Sequence, residues 1–220
     1  MTAQTAIKRA GPGNAARLGI VLVHGRGSSA TAILDLLGHL GLPDIAAAAP
    51  EAPGSSWWPT SFLAPTAEME PFVGAGFQAV GAAVENLLAD GLTRDRIAIM
   101  GFSQGACLAL EYAVRKGTGL HSVFGLSGGL VGTADAGTRP LEELYGFADK
   151  TFDYDTDLSG LPVYLGCHEK DPHIPLKRVQ DSAAAFAALG ADVEAQIFPG
   201  AGHGVMMEEI AAMRGRLNGT

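Results

Sequence analysis

The chain has 220 residues, 47% of them apolar, and its 23 acidic and 15 basic side chains give a net charge of −8. This composition excludes a disordered chain and favours one domain, spanning residues 1–220, with a large core. An acidic chain without a basic stripe also argues against nucleic acid and anionic membrane surfaces as partners.

The cysteines and the N-terminal residues predict the compartment. Cys107 and Cys167 form neither a metal-binding spacing nor a disulfide framework, so each is expected to be a small buried residue in a reducing compartment. Residues 1–17 are polar and lack the apolar core of a signal peptide, and no apolar stretch approaches the ~20 residues of a membrane span. We therefore expect a cytoplasmic protein whose residues 1–17 form either an edge hairpin or a partly disordered extension.

Strand-like and helix-like runs alternate along the rest of the chain. The continuous apolar run Leu18–Val23 is typical of a strand buried on both faces. Further strands are predicted at residues 45–49, 97–100, 122–126, 162–166 and 195–198, and helices at residues 31–40, 77–88, 106–113, 179–189 and 205–217. Repeated β-α units predict an α/β fold, with a mostly parallel sheet and helices on both faces.

Two irregular segments interrupt this alternation. The loop of residues 51–66 contains prolines together with Trp57, Trp58 and Phe62, which are expected to line an acyl or alcohol pocket. Core packing of at least one tryptophan is an equally good interpretation. Residues 130–160 are acid-rich, and we expect them to carry short structure of their own beside the site.

The segment Gly101-Phe102-Ser103-Gln104-Gly105 has the pattern G-x-S-x-G between a strand-like and a helix-like run. In this context the pattern predicts a sharp turn that exposes the hydroxyl of Ser103 as a nucleophile. Glycines suit both flanks because side chains there would clash with the turn, and the following helix N-terminus would stabilise an oxyanion. A glycine-rich strand-to-helix turn without chemistry is the alternative interpretation.

Four polar residues, His24, Ser103, Asp171 and His203, each follow a predicted strand. Because parallel strands end at a shared edge of the sheet, sites form there. A serine nucleophile needs a base, and the base needs an orienting acid. His203 is the predicted base, with a surface loop histidine as the alternative, and Asp171 is the predicted acid. The order Ser, Asp, His is that of α/β-hydrolases.

Other residues near Asp171 compete for these roles. Glu169 is the rival orienting acid, whereas the acidic residues between 149 and 157 fit a solvated face. His168 and His173 flank Asp171, but their spacing lacks a matching carboxylate pattern, which argues against a metal site.

An oxyanion hole needs two N–H donors. The N–H of Gln104, directly after the nucleophile, is one candidate, and the N–H of Arg26 in the loop His24-Gly25-Arg26-Gly27 is the other. Two interpretations of the Arg26 side chain stay open. It recognises an anionic group of the substrate, or it holds the loop in shape through a salt bridge.

Four segments together resemble the phospholipase/carboxylesterase family of α/β-hydrolases, which includes acyl-protein thioesterases. They are Leu22-Val23-His24-Gly25-x-Gly27, Gly101-Phe102-Ser103-Gln104-Gly105, Gly166-x4-Asp171-x-x-Ile174-Pro175 and Pro199-Gly200-x-Gly202-His203. The resemblance implies a minimal α/β-hydrolase fold without a large cap, and a serine hydrolase without cofactor or metal. It also implies a triad of Ser103, Asp171 and His203, with Arg26 and Gln104 as oxyanion donors.

Two positions depart from the thioesterases of this family. Those enzymes usually carry an apolar residue where Arg26 stands and an acidic one where Ser28 stands. The segment His24-Gly25-Arg26-Gly27 is closer to a bacterial branch that resembles hydrolases encoded near aromatic ring-cleavage genes. This departure favours a small ester over a lipidated protein as substrate.

The sequence thus predicts a serine carboxylesterase that hydrolyses small to medium carboxylic esters through an acyl-serine intermediate. An acyl thioesterase and a lactone or dienelactone hydrolase are the alternative enzymes, and a low-turnover ligand-binding protein is the alternative of another class. The expected partner is a small-molecule ester, and neither nucleic acid nor a membrane is expected. The sequence leaves open whether the protein forms a homodimer.

Overall fold

A computed structural model describes residues 6–135 and 139–219 of the chain, which form nine strands and six α-helices in the described part. The strands are β1 (Ile7–Ala10), β2 (Leu18–Val23), β3 (Ile45–Pro50), β4 (Ile97–Phe102), β5 (Ser122–Leu126), β6 (Pro140–Leu141), β7 (Phe147–Ala148), β8 (Pro162–His168) and β9 (Asp192–Phe198). The helices are α1 (Ala30–Leu34), α2 (Leu36–Leu40), α3 (Thr66–Ala89), α4 (Gln104–Lys116), α5 (Leu176–Ala188) and α6 (Met207–Asn218).

Seven strands form one sheet in the order β1-β3-β2-β4-β5-β8-β9. Every pair is parallel except β1 and β3, which are antiparallel. The register places Val23 of β2 beside Gly101 of β4, and His168 of β8 beside Phe198 of β9. The loops that follow β2, β4, β8 and β9 therefore leave the sheet at the same edge.

The core lies on both faces of the sheet because successive side chains of a strand point to opposite faces. In β2, Val21 packs into a cluster with side chains of α3, α4 and α5, whereas Ile20 and Leu22 pack with α1, α2 and α6. All six residues of β2 are buried, as the continuous apolar run predicts. The predicted mostly parallel sheet with helices on both faces is confirmed.

Three predicted elements need correction. Residues 31–40 form the two short helices α1 and α2, not one helix. The described part of the N-terminal extension adds a single edge strand, which pairs with β3, so no hairpin forms there; residues 1–5 lie outside the described residues. Helix α3 begins at Thr66, well before the predicted start, and Pro71 lies inside it.

The length of α3 also corrects the expectation that no segment approaches the dimensions of a membrane span. By length and composition its 24 residues qualify. One face of α3 nevertheless packs into the core, where Met69, Val80 and Leu87 are buried. A core helix of a globular fold passes the same length test, so α3 is weak evidence for a membrane span.

Residues 130–160 carry short structure of their own, as predicted. Strands β6 and β7 pair antiparallel around the short 3-10 helix Glu142–Leu144, and residues 136–138 lie outside the described part of the chain. Tyr145 donates a 2.6 Å hydrogen bond from its hydroxyl to the backbone carbonyl of Asp171. This segment therefore touches the loop of the predicted orienting acid.

Candidate active site

Ser103 lies at the sharp turn between β4 and α4. Its backbone has φ 56° and ψ −123°, a strained conformation for a residue with a side chain. A Cβ atom on Gly101 would lie 2.1 Å from the carbonyl oxygen of Gly105, and a Cβ atom on Gly105 would lie 2.1 Å from that of Val23. Both glycines are thus required by close backbone approach, and the turn has the shape that the sequence pattern predicts.

The structure brings Ser103, His203 and Asp171 together in one hydrogen-bonded chain. The Ser103 Oγ lies 2.9 Å from His203 Nε2, and His203 Nδ1 lies 2.7 Å from Asp171 Oδ2. Because a carboxylate only accepts hydrogen bonds, His203 carries its proton on Nδ1, and Nε2 is free to accept from the serine hydroxyl. The three residues come from three different loops at the same edge of the sheet.

Asp171 is buried, and burial alone raises the pKa of a carboxyl group. The hydrogen bond from His203 opposes this, as do the backbone N–H groups of His173 and Ile174, which donate to Oδ1 at 2.8 Å and 3.0 Å. These donors outweigh burial and hold the pKa of Asp171 below its usual value. Asp171 is therefore a carboxylate at neutral pH. Glu169 is exposed, and its carboxylate lies 3.8 Å from the Nζ of Lys170.

Gln104 and Arg26, the two predicted oxyanion donors, belong to segments that adjoin Ser103. Gln104 is the first residue of α4, where N–H groups have no partner inside the helix and the helix dipole favours negative charge. The loop that carries Arg26 comes close, since a Cβ atom on Gly25 would lie 3.3 Å from the Ser103 Cβ. Within residues 6–135 and 139–219, no hydrogen-bond acceptor is found for the N–H of Gln104 or of Arg26. Both are therefore available to an oxyanion.

His24 follows a strand at the same edge but has a structural place in the loop. It is fully buried, and the backbone N–H of Ala52 donates to its Nε2 at 3.1 Å. Its Nδ1 therefore carries the proton and donates to the carbonyl of Gly25 at 2.8 Å. His24 thus holds the loop on which Gly25 and Arg26 lie.

The side chains of Arg26 and Gln104 both bind the loop of residues 56–60. Arg26 donates to the backbone carbonyls of residues 58–60, including Trp58 at 3.1 Å and Pro59 at 3.3 Å. Gln104 donates from Nε2 to the Trp58 carbonyl at 2.9 Å and accepts at Oε1 from the N–H of Trp57, also at 2.9 Å. The partners of Arg26 are thus carbonyls and not an acid, which corrects the salt bridge of the sequence interpretation.

A pocket opens beside Ser103 and His203. Trp58, Phe62, Phe102 and Ile174 line it with apolar surface, and Arg26 and His173 contribute polar groups. Trp57 lies outside this pocket. Its indole Nε1 donates to the carbonyl of His24 at 2.9 Å and its ring is buried in the core. The structure thus separates the two tryptophans that the sequence treats alike.

The two cysteines are free and buried, as predicted. Cys107 lines the pocket, whereas the Sγ of Cys167 lies 3.8 Å from Asp171 Oδ2. Burial raises the pKa of both thiols to about 12, so neither is a thiolate nucleophile at neutral pH. In the part of the chain that the structure describes, no three His, Cys, Asp or Glu side chains cluster as a metal site would need.

Sequence reasoning missed two contributors to this site. The sequence suggests no role for His173 other than that of a metal ligand. In the structure, its ring lies in the pocket and meets the ring of His203 edge-on, with 4.8 Å between the ring centroids. No sequence pattern marks Tyr145 as part of the site, because its contact with Asp171 depends on how residues 130–160 pack against the loop of Asp171. The only available signal was that His173 lies two residues after the predicted acid, Asp171.

The family model of Phospholipase/Carboxylesterase matches residues 7–219. The chain belongs to this family. The resemblance seen in the sequence is thereby confirmed, and with it the α/β-hydrolase fold. A phospholipase/carboxylesterase structure from Dyadobacter fermentans is 32% identical, covers 99% of this chain and 98% of its own, and has a TM-score of 0.85.

Two more distant relatives carry related names. Acyl-protein thioesterase 1 of Gibberella zeae is 29% identical over 127 residues, which are 58% of this chain and 49% of that protein. The match thus spans about half the length of this curated relative. The structure of esterase PE8 is 24% identical, covers 98% of each chain with a TM-score of 0.69, and shows the shared fold.

Proposed function

We propose that this family member is a single-domain serine carboxylesterase that hydrolyses small to medium carboxylic esters through an acyl-serine intermediate. The observation that carries the proposal is the hydrogen-bonded chain from Ser103 through His203 to Asp171. A serine hydroxyl is a weak nucleophile unless a base removes its proton, and this arrangement supplies the base. The two free buried cysteines fit a cytoplasmic location for the enzyme.

Ser103, His203 and Asp171 each have a defined part in acylation. The Ser103 Oγ attacks the ester carbonyl carbon while His203 Nε2 takes the hydroxyl proton, and Asp171 stabilises the resulting imidazolium. The N–H groups of Gln104 and Arg26 donate to the oxyanion of the tetrahedral intermediate. When the intermediate collapses, the bond to the alcohol oxygen breaks, and the alcohol leaves with the proton from His203.

Deacylation repeats these steps with water. Water attacks the acyl carbon while His203 takes its proton, and the acid leaves as the bond to the Ser103 Oγ breaks. The serine oxygen recovers the proton from His203, which restores the enzyme. No group beyond these residues and water is needed to balance the reaction.

An acyl thioesterase is the second candidate, and the similarity to acyl-protein thioesterase 1 supports it. The same residues would attack a thioester, because the acyl-serine intermediate is identical and only the leaving group differs. Matched butanoyl esters and thioesters of one small alcohol and its thiol analogue separate the two activities by their kcat/KM values.

Covalent labelling and burst kinetics test the proposal. A fluorophosphonate is expected to add once per chain, at Ser103, and a p-nitrophenyl ester is expected to give a burst of one product per chain if deacylation is slow. Ser103→Ala should abolish labelling and lower kcat by about 10³- to 10⁶-fold while the protein stays folded. Ser159→Ala, at an exposed serine away from the pocket, serves as the control and should keep both signals.

Labelling at Cys107 or Cys167 instead of Ser103 would contradict the nucleophile assignment. The absence of both labelling and turnover in the folded wild-type protein would favour the alternative of a low-turnover binding protein.

A further inference from the structure

His173 lies at a fixed position beside the proposed general base. Its backbone N–H donates to Asp171 Oδ1 at 2.8 Å, and the other carboxylate oxygen of Asp171 binds His203. One buried carboxylate therefore holds both residues in place. The ring of His173 is exposed to the pocket and meets the ring of His203 edge-on at 4.8 Å.

Three polar side chains that line the same pocket, those of Gln104, Arg26 and Ser61, make hydrogen bonds within the protein. The Gln104 amide binds Trp57 and Trp58, and the Arg26 guanidinium donates to three carbonyls. The Oγ of Ser61 accepts from the N–H of Leu63. By contrast, the ring nitrogens of His173 make no hydrogen bond to any residue that the structure describes. A neutral imidazole offers one donor and one acceptor, so this ring has both to offer to a ligand.

The chemistry of the reaction determines which part of the substrate lies near His173. His203 Nε2 delivers its proton to the departing alcohol oxygen, so the alcohol portion of the ester has to lie beside the His203 ring. Because the His173 ring packs edge-on against that of His203, it adjoins the alcohol portion. The apolar side chains of Trp58 and Phe62 line the same pocket and suit the acyl portion.

We propose that His173 is a specificity-determining residue that selects esters whose alcohol portion carries a second hydroxyl group. This inference rests on the proposed esterase function and names its substrate class: carboxylic esters of diols and polyols. The hydroxyl group of such an alcohol hydrogen-bonds to the His173 ring while the acyl group occupies the apolar part of the pocket. An alcohol without that hydroxyl leaves the ring without a partner.

A role limited to orienting His203 makes a different prediction. A positioning residue affects the proton transfer for every ester, whereas a specificity residue affects only substrates that bind it. Two esters of the same size therefore separate the roles. They are 3-hydroxypropyl butanoate and butyl butanoate, which share the acyl group and differ by a hydroxyl in place of a methyl group.

The test compares His173→Leu and His173→Gln with the wild-type enzyme on both esters. For His173→Leu we expect kcat/KM to fall about 3- to 10-fold for the hydroxypropyl ester and to change less than twofold for the butyl ester. His173→Gln keeps a donor and an acceptor and should recover part of the loss. His39→Leu, at an exposed histidine of α2, is the matched control and should leave both values unchanged.

Equal losses on the two esters would overturn the proposal in favour of a positioning role, and no loss on either would overturn it outright. A thermal melt of each variant verifies folding, and His173→Gln provides a second, polar variant. Failure of the esterase proposal is a separate result. In that case the wild-type protein hydrolyses neither ester and Ser103 takes no fluorophosphonate label.

Discussion

The guanidinium of Arg26 donates to the backbone carbonyl of Trp58 at 3.1 Å and so joins the loop of a proposed oxyanion donor to the wall of the pocket. The same carbonyl accepts from Gln104 Nε2 at 2.9 Å, and Gln104 directly follows Ser103. The two residues that we propose as oxyanion donors thus also hold Trp58 through their side chains. In this proposal, oxyanion stabilisation and pocket shape depend on the same two residues.

Arg26→Leu should therefore weaken catalysis on all esters. The change removes hydrogen bonds from a charged donor to three carbonyls, which loosens both the loop and the pocket wall. We expect kcat/KM to fall by about tenfold for a neutral butanoate ester and for an anionic hemisuccinate ester alike, with a lower Tm. Steady-state kinetics on the two esters and a thermal melt measure this.

Arg94→Leu is the matched control for that experiment. Arg94 also donates to backbone carbonyls, those of Lys116 and Thr118, but lies away from the pocket. It should lower Tm without changing kcat/KM. A loss confined to the anionic ester in Arg26→Leu would instead show that the guanidinium recognises the substrate.

Asp171→Asn should nearly abolish turnover. An amide at this position can present its NH₂ group to His203 and stabilise the wrong tautomer, so that Nε2 no longer accepts the serine proton. We expect kcat to fall by about 10⁴-fold with the fold retained. Kinetics on p-nitrophenyl butanoate measure the loss.

Glu169→Gln provides the comparison, because Glu169 lies in the same loop but faces solvent beside Lys170. It should stay within about twofold of the wild-type kcat. The reverse ranking of these two variants would assign the orienting role to Glu169.

The central part of the fold was predictable because its sequence signals are local. The run Leu18–Val23 is apolar throughout, which is typical of a strand covered on both faces of a sheet, and all six of its residues are buried. The start of α3 was not predictable. The N–H groups of Thr66 and Ala67 bind Thr133 and Asp135, which are far away in the chain. Such long-range caps leave no pattern in the sequence around the helix.

The site shows the same division between local and long-range signals. The turn at Ser103 follows from its two glycines, and the loops of Asp171 and His203 follow from the order of strands. Which tryptophan lines the pocket depends on Gln104, whose amide binds Trp57 and Trp58 through their backbones. Two adjacent tryptophans carry no signal that would distinguish these positions.

The proposed preference for short acyl groups depends on Trp58 and Phe62. Both rings are largely buried and close the apolar part of the pocket. We expect p-nitrophenyl esters with two to six acyl carbons to give the highest kcat/KM, because longer chains would have to displace these rings. Phe62→Ala should shift the optimum to longer chains by removing one of them.

A series from acetate to palmitate, measured on the wild-type enzyme and on Phe62→Ala, checks this. Phe72→Ala is the control, because Phe72 packs against the core and not at the pocket. A steady rise of kcat/KM through to palmitate in the wild-type enzyme would contradict the preference.

The buried carboxyl group of Glu209 predicts how stability depends on pH. Its side chain packs against β8, where a Cβ atom on Gly166 would lie 1.9 Å from Oε1. Burial raises the pKa of Glu209 to about 7, although the N–H of Met206 donates to Oε2 at 2.7 Å and opposes the rise. The carboxyl group is thus neutral in the folded protein at pH 5, where the unfolded chain has already lost most of this proton.

Between the two pKa values the folded state binds more protons than the unfolded state, so the free energy of unfolding falls as pH rises. Glu209→Gln keeps an oxygen that accepts from Met206 but cannot ionise. From pH 5 to pH 8, the wild-type protein should therefore lose about 2–3 kcal/mol relative to this variant. Urea unfolding at the two pH values measures the difference.

Glu208→Gln, at the exposed neighbour on the same turn, should follow the wild-type pH dependence. If Glu209→Gln also followed it, the carboxyl group would be ionised in the folded protein at both pH values.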